Sequence, residues 1–239
     1  MRLKTNLHFH TGDDPFDSVP YSTREGIDRA AALGFQVLAL TCHRKAAWTP
    51  EYAAYAAEIG ILLVPGIELE ISESAEESGR HLILLNGAAD AESLRTFSDL
   101  AAYRAAHPEC FVLAAHPFFY GNFSLQWRLE RHIHLFDAIE HSWFYSRVFN
   151  RNKKAERVAA TAGLPMIATS DAHTFRNLNT DYAIVDAREK TLPALFQAIR
   201  KHHITNVTHE KKIFWGMAFP LVVLMAKNFL YRRSKQGNS

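Results

Sequence analysis

The sequence predicts an α/β fold in which a sheet of mainly parallel strands closes into a barrel with helices packed outside it. Three observations lead there. Short apolar runs alternate with amphipathic stretches along most of the chain, the cadence of strand-then-helix units. Imidazoles and carboxylates fall just beyond several of these runs, at strand ends that share one face in a barrel but would lie far apart in an open sheet. The G-x-G-x-x-G turn of a dinucleotide site and the G-x-x-x-x-G-K-[ST] loop are both missing after the first strand. With 239 residues, 48% of them hydrophobic, the chain has material for a core of barrel size.

The elements follow in order. A first strand runs into Leu7-His8-Phe9-His10-Thr11, and strand alternation puts His8 and His10 on one face. After the polar turn Gly12 to Asp17, Ser22-Thr23-Arg24-Glu25 has the spacing of a capping box. It opens a helix whose apolar face is Ile27, Ala30, Ala31 and Leu33, and Gly34 stops it. Phe35 to Leu40 is a buried strand ending at Thr41-Cys42-His43. Thr49-Pro50-Glu51 starts a second helix, with threonine as cap and proline in the first turn, and Gly60 closes it. Ile61 to Val64 is the third strand, ending at Pro65-Gly66-Ile67-Glu68. A polar insertion, Ser72 to Arg80, precedes the strand His81 to Leu85, which carries its histidine at its beginning. A helix over 91–106 leads to the strand Phe111 to Ala115, which ends at His116-Pro117. Ala138 to Glu140 is a short strand, Asn152 to Thr161 an amphipathic helix, and Leu164 to Thr169 a strand ending at Ser170-Asp171-Ala172-His173. Tyr182 to Val185 and a helix from Leu192 to His202, capped by Thr191, complete the regular part.

The charge is balanced, 27 basic against 25 acidic residues, so no global field of the kind that dominates nucleic-acid binding is present. The partner expected from this is a small phosphorylated substrate, with no strong nucleic-acid signal. Neither Cys42 nor Cys110 lies in a C-x-x-C, no apolar export segment precedes the first strand, and a reducing cytoplasm is the expected compartment. Residues 1–210 form the expected barrel and 211–239 an apolar and basic extension. Its run Ile213 to Ala226 contains Pro220 and is shorter than the ~20 residues of a spanning helix. Lys211, Lys212, Lys227, Arg232 and Arg233 flank that run, and Trp215 and Tyr231 suit a membrane interface. A helix packed on the barrel, a dimer contact and peripheral membrane contact through 211–233 all fit, and the oligomeric state is left open.

His8, His10, His43, Glu68, His81, His116, Asp171 and His173 make a donor set suited to zinc, manganese or iron. There are too many for one tetrahedral ion, so two or three divalent metal ions are implied. Ions about 3.5–4 Å apart clamp a phosphoryl oxygen and lower the pKa of a bridging water. Hydrolysis of a small phosphate ester, a monoester or nucleotide-like, by a metal-activated hydroxide is the natural reaction. The same ions also suit an amidohydrolase-like C–N or C–O hydrolase, or a metal-binding regulatory module without turnover. Catalysis is expected to rest on Glu68, His43 and His116. Arg44, Lys45, Arg147 and Arg176 flank these loops, and the guanidinium forks of Arg44 and Arg176 are the candidates for a substrate phosphate. Phe118, Phe119, Tyr120, Trp143, Phe144 and Tyr145 follow two strand ends and suit core or lid packing, or an apolar wall for an aromatic group. His107, His132, His134, His202, His203 and His209 read as solvent-facing, and His141 as a residue near the pocket.

Six ordered motifs resemble those of the PHP (polymerase and histidinol phosphatase) family. They are His8-Phe9-His10-Thr11, Thr41-Cys42-His43, Gly66-Ile67-Glu68, His81 before its strand, Ala115-His116-Pro117 and Ser170-Asp171-Ala172-His173. The resemblance spans roughly residues 3 to 205. It implies a distorted seven-stranded (β/α) barrel of TIM type, a trinuclear metal centre at the carboxyl ends of the strands, and phosphoesterase activity. Carried over by position, the ligands are His8, His10, His43, Glu68, His81, His116, Asp171 and His173, with Glu68 bridging two metals. An acidic ligand beyond the first motif would be Asp13, Asp14 or Asp17, of which Asp14 is favoured. Members commonly carry aspartate where this chain has Cys42, so a hydrogen bond behind the ligands is expected to be missing.

Overall fold

The computed structural model describes residues 1–211 apart from 75, 88 and 120, together with residue 222. The elements are β1 (Arg2–Asn6), α1 (Thr23–Ala32), β2 (Val37–Leu40), α2 (Pro50–Glu58), β3 (Leu62–Ile71), β4 (Arg80–Leu85), α3 (Phe97–Ala106) and β5 (Phe111–Ala114). They continue as α4 (Trp127–Arg131), β6 (Ala138–His141), α5 (Asn152–Ala162), β7 (Met166–Ala168), β8 (Tyr182–Asp186), α6 (Leu192–Arg200) and β9 (Ile204–Val207).

Local chemistry sets most of these boundaries. Ser22 and Glu25 form the reciprocal capping box that starts α1. Thr49 accepts the Tyr52 N–H and Pro50 occupies the first turn of α2. The helix expected over 91–106 is broken. Thr96 and Asp99 make a second capping box, and a bridge from Ser72 to Thr96 holds the chain extended there. Ala89–Ser93 is consequently a separate 3₁₀ turn, and α3 starts at Phe97. Thr191 stands at the N-cap of α6 but makes no capping bond; its hydroxyl donates to Glu189 Oε1 instead.

The strands form one nine-stranded sheet in the order β7-β6-β5-β4-β3-β2-β1-β8-β9. It curls until its ends nearly meet. The Asn206 side chain accepts the Ala168 N–H and donates to Met166 O, and Phe9 bridges to Ala172. Strands β1 to β7 are contiguous, and the hairpin β8-β9, whose second strand lies beyond the elements read from the sequence, fills the gap to β7. The sheet is mixed rather than parallel throughout. No helix crosses over between β3 and β4, so β4 returns antiparallel to β3 and pairs antiparallel with β5 as well. It therefore begins at the face where β2 and β3 end, and that brings His81 to the same mouth as the histidines that follow strands.

Leu3, Val37, Val64, Ile83, Leu113 and Ile167 share one buried cluster with Leu195, Phe196 and Ile199 of α6. Phe196 stacks on Phe111, the first residue of β5, with centroids 4.8 Å apart, so α6 packs at the amino-terminal end of the barrel. The opposite end is left for polar residues. The outer strand faces pack on α3 and α5 through one cluster and on α1 and α2 through another.

Gly66 shows how tightly β3 is held. A Cβ at this position would lie 2.7 Å from Leu40 O and 2.9 Å from Leu85 Cδ2. Gly66→Ala is expected to lower unfolding stability by ~1–3 kcal/mol through overpacking. Urea denaturation checks this, and a loss below about 0.5 kcal/mol would show that β3 shifts freely.

His132 is a correction to the solvent-facing set. It stacks on Phe97 at 4.0 Å and pairs with Glu73 at 3.0 Å. Cys42 and Cys110 are both buried free thiols. Among the described residues no helix is long and apolar enough to cross a membrane. The expectations for the extension beyond Lys211, like that for Tyr120, fall outside the described residues.

Candidate metal centre

The strand ends deliver their polar side chains to one point. His8 and His10 follow β1, His43 follows β2, Glu68 stands within β3, His81 opens β4, His116 follows β5, and Asp171 and His173 follow β7. His8, His10 and Glu68 are at most 1% exposed. Glu68 is the hub. Its Oε2 lies 3.3 Å from His8 Nε2, 3.3 Å from His10 Nε2 and 3.1 Å from His43 Nε2. Its Oε1 lies 2.9 Å from His81 Nδ1 and 3.2 Å from His116 Nε2. Asp171 Oδ1 lies 3.3 Å from His8 Nε2, 3.4 Å from His10 Nε2 and 3.5 Å from His173 Nδ1.

A second layer of carboxylates fixes the imidazoles from behind. Asp14 Oδ2 is 2.9 Å from Nδ1 of His10 and 2.9 Å from Nδ1 of His43, and it also accepts the His43 N–H. Its Oδ1 accepts the N–H groups of Phe16 and Asp17. Asp14 therefore stands behind His10 and His43, outside the convergence of ligand atoms. The hydrogen bond expected to be lost with Cys42 is supplied to the His43 ring by Asp14, while the thiol lies 3.6 Å from Thr11 Oγ1. Asp17 Oδ2 faces His173 Nε2 at 2.9 Å.

Glu140 is the member of this layer that the sequence reading passed over. Fully buried, it faces His8 Nδ1 at 3.3 Å and accepts the His116 N–H and the Thr169 hydroxyl. The available signal was a carboxylate inside an otherwise apolar strand, ending at the same face as the histidines.

Donor and acceptor counting tests whether this centre suits cations. With Nδ1–H of His8 donated to Glu140, and those of His10 and His43 to Asp14, each ring's Nε2 keeps its lone pair. Those three lone pairs converge with oxygens of Glu68 and Asp171, and His8 Nε2 and His10 Nε2 are only 3.1 Å apart. Acceptors gather with no hydrogen between them, an arrangement that a cation relieves and a proton must otherwise fill. Among the described residues, His116 Nδ1 is in addition buried without a partner. Among the described residues, four overlapping triads have ligand atoms within 4.8 Å of one another: His8-His10-Glu68, His8-His116-Asp171, His10-His43-His173 and His43-Glu68-His81. The residues fit a multinuclear cation site.

Backbone geometry is unusual at the same place. Arg44, His116 and Asp171, all in loops after strands, have φ of 50°, 26° and 44°. Non-glycine residues take this region seldom, and they do so where a site dictates the conformation. Arg44 donates its N–H to Glu68 O, and its guanidinium lies 3.9 Å from Glu70. Arg176 is exposed on the loop after His173, and the structure brings it into none of the contacts of the cluster.

Burial alone lowers the pKa of His8, but Asp171, Glu68 and Glu140 outweigh it and raise it to about 10. His10 is held well above its ordinary value against the same burial by Asp14, Asp171 and Glu68. Burial would raise Glu68 and Asp171, yet the surrounding imidazoles hold both well below the usual carboxylate range. His81 goes the other way, because its burial prevails over Glu68. The linkage signs follow for the chelated protein. His8 binds its proton more tightly folded than unfolded, so its contribution is whole below pH 6.5 and lost as the pH rises through about 10. The contribution of Glu68 is present above pH 4.5 and lost as the pH falls. The chelated protein is therefore expected to melt highest between about pH 4.5 and 6.5. A melting temperature that climbs from pH 6.5 to pH 9 in the presence of chelator would contradict this pairing.

A barrel with histidines and carboxylates converging at the carboxyl ends of its strands defines a metal-binding α/β barrel of the hydrolase type. The chain matches the PHP domain over residues 6–110 and the PHP-associated family over residues 149–204, together well over half its length. It belongs to the PHP family, whose members are in general metal-dependent phosphoesterases.

Among solved structures, a two-domain protein from Bacteroides vulgatus containing a predicted PHP-like metal-dependent phosphoesterase superposes with a TM-score of 0.65 at 18% identity, over 88% of this chain and 66% of that one. PsfC from Pseudomonas syringae gives 0.62 at 16% identity, over 98% of both chains. Endonuclease Q, in complex with a 27-mer duplex bearing an abasic lesion, gives 0.61 at 13% identity, over 88% of this chain and 60% of that one. The chain thus spans just under two thirds of the first of these relatives and less of the third. Comparison with curated proteins gives no match.

Endonuclease Q corrects one expectation. Balanced net charge had pointed to a small phosphorylated substrate and away from nucleic acid, yet the same fold in that protein is seen on duplex DNA. Net charge averages over the whole surface and does not describe the mouth of a barrel, where contact with a polyanion is local.

Proposed function

We propose that this chain is a metal-dependent phosphoesterase acting at the cluster around Glu68. The observation that carries the reading is the convergence of the His8, His10 and His43 Nε2 atoms on one Glu68 oxygen at 3.1–3.3 Å, with His8 Nε2 and His10 Nε2 3.1 Å apart. His8, His10, His43, Glu68, His81, His116, Asp171 and His173 would hold two or three divalent ions, of zinc, manganese or iron. Such ions supply Lewis acidity toward the phosphoryl group and lower the pKa of water.

The chain's own residues prepare that chemistry. Glu68 places one carboxylate between two groups of imidazoles and balances their charge. His43 and His116 lie on opposite oxygens of Glu68 and are the two imidazoles proposed to act with it in catalysis. Asp14 and Glu140 hold the Nδ1–H tautomers and keep the lone pairs aimed inward. Asp14 accordingly belongs behind the ligands. Arg44, partly exposed beside His43, offers a guanidinium to a phosphate oxygen; Arg176 is a weaker candidate because it stands apart from the cluster.

Within phosphate esters, monoesters and nucleotide-type phosphates are the classes proposed, and the endonuclease Q fold brings DNA phosphodiesters into the test. Metal analysis of the purified protein, followed by assay with Mn²⁺ or Zn²⁺ on monoesters, diesters and an abasic duplex, examines this directly. Bound divalent metal and turnover of at least one ester are expected. Two or three bound ions with no ester hydrolysed would overturn the reading in favour of a metal-binding module.

A further inference from the structure

Strand β8 runs antiparallel to β1, and β9 runs antiparallel to β8 with Val207 paired to Tyr182, so β9 ends at the face that carries the metal cluster. Residues 208–211 are pinned to the rim there. The His209 N–H donates to Asp181 Oδ1 at 3.3 Å, the Lys211 N–H to Tyr145 O at 2.9 Å, and the Lys211 ammonium to Oδ2 of the buried Asp181 at 2.6 Å. From that point the sequence continues into Lys212 and the uncharged run Ile213 to Ala226. We propose that the β6–β9 side of the mouth rests on an anionic lipid surface and that the ester hydrolysed there is a phosphate carried by a lipid, the second half of which rests on the phosphoesterase reading.

The loop after β6, which meets the end of the described chain at Tyr145, has the same character. From Arg147 to Lys154 the sequence holds four Lys and Arg residues and no acid. Between the first two of these cations Val148 is 85% exposed, more than any other large hydrophobic among the described residues. An aliphatic tip between cations suits the headgroup layer, where the apolar side chain enters and the cations meet lipid phosphates. Trp143, in the same loop, brings Nε1 to 3.5 Å from Asp171 Oδ2, which joins this part of the rim to the cluster. Glu73, Glu76 and Glu77 lie in the connection between β3 and β4, where Glu73 and Glu77 pair with Arg128 at 3.9 and 3.1 Å, so the contact falls on the β6–β9 side instead. A nucleic acid would also meet the cations. It gains nothing from an uncharged apolar run or an aliphatic tip, because single strands are held by stacking on aromatic rings.

Sedimentation of the full chain with vesicles tests the surface without turnover. Vesicles of phosphatidylcholine and phosphatidylserine should bind the chain, and vesicles of phosphatidylcholine alone should bind it less. Val148→Asp in the loop and Leu224→Asp in the apolar run should each lower the partition coefficient about tenfold. Ile59→Asp is the control for orientation: Ile59 is 39% exposed beyond α2, at the opposite end of the barrel, and its replacement should leave binding unchanged. No vesicle binding, or equal losses from Val148→Asp and Ile59→Asp, would overturn the contact. Binding of a labelled oligonucleotide without binding of vesicles would also overturn it and assign the cations to nucleic acid. The metal-loaded chain is then assayed on phosphatidate in the mixed vesicles and on glycerol 3-phosphate in solution. Phosphatidate should exceed glycerol 3-phosphate in kcat/KM by about tenfold or more, and Val148→Asp should remove that difference while leaving glycerol 3-phosphate hydrolysis unchanged. Equal kcat/KM for the two esters would overturn the lipid substrate. Oriented binding with neither ester hydrolysed supports the contact and counts against the phosphoesterase reading, whereas hydrolysis of glycerol 3-phosphate without vesicle binding overturns the contact and leaves that reading standing.

Discussion

Glu68→Gln is expected to release most of the bound metal and to lower turnover by about three orders of magnitude or more, with the fold retained. The substitution keeps the shape of the side chain and removes its charge. At 1% exposure the carboxylate lies within 3.3 Å of nitrogens from five imidazoles, so no other group can take its place. An amide turns one of its two ends into a donor. Whichever end that is, hydrogen then points at imidazole nitrogens whose lone pairs the ions require, either His8, His10 and His43 or His81 and His116. Metal content, kcat under saturating Mn²⁺ or Zn²⁺ and far-ultraviolet circular dichroism together check the prediction. Activity retained in a variant of native secondary structure would remove Glu68 from the centre of the mechanism.

Much of this centre was legible in the sequence because barrels place strand ends together. Once the apolar runs are recognised, His8, His10, His43, Glu68, His116 and Asp171 fall at the same face with no further information. His81 is harder, since a histidine at the start of a strand belongs at the opposite face of a parallel sheet. Only the antiparallel return of β4, set by a connection without a helix, brings it to the mouth. Glu140 was hidden for a different reason. A carboxylate in a short apolar strand carries no motif, and its partners, His8 and the His116 N–H, are 132 and 24 residues away in sequence. The break before α3 was hidden too. The periodicity of 91–106 continues across it, while the bridge from Ser72 that enforces it is a long-range contact.

The choice among Asp13, Asp14 and Asp17 turns on contacts of the same kind, and one variant separates a ligand from a residue that positions ligands. Asp14→Asn is expected to weaken metal binding by about 10–100-fold, the usual penalty for disturbing the partner of a ligating histidine. Both carboxylate oxygens are in use as acceptors, Oδ1 toward the N–H groups of Phe16 and Asp17, Oδ2 toward His10, His43 and the His43 backbone. An asparagine must turn its NH₂ toward one of these sets, where donor then meets donor. If it faces the imidazoles, His10 and His43 are driven toward the tautomer with hydrogen on Nε2, which aims a proton where a lone pair is needed. If it faces the loop, the Phe16 and Asp17 amides lose their acceptor and the 11–17 turn that holds the carboxylate loosens. Either route weakens the centre without deleting a ligand, so excess metal should restore full stoichiometry and most of the turnover. A direct ligand behaves differently: its loss removes one ion that no concentration of metal brings back. Titration of Asp14→Asn with Mn²⁺, following both bound ions and rate, distinguishes the two, and a stoichiometry that stays one ion short would return Asp14 to the ligand set. Asp17→Asn is the companion measurement. Because Asp17 faces His173 and neither His10 nor His43, its effect on affinity should be the smaller of the two.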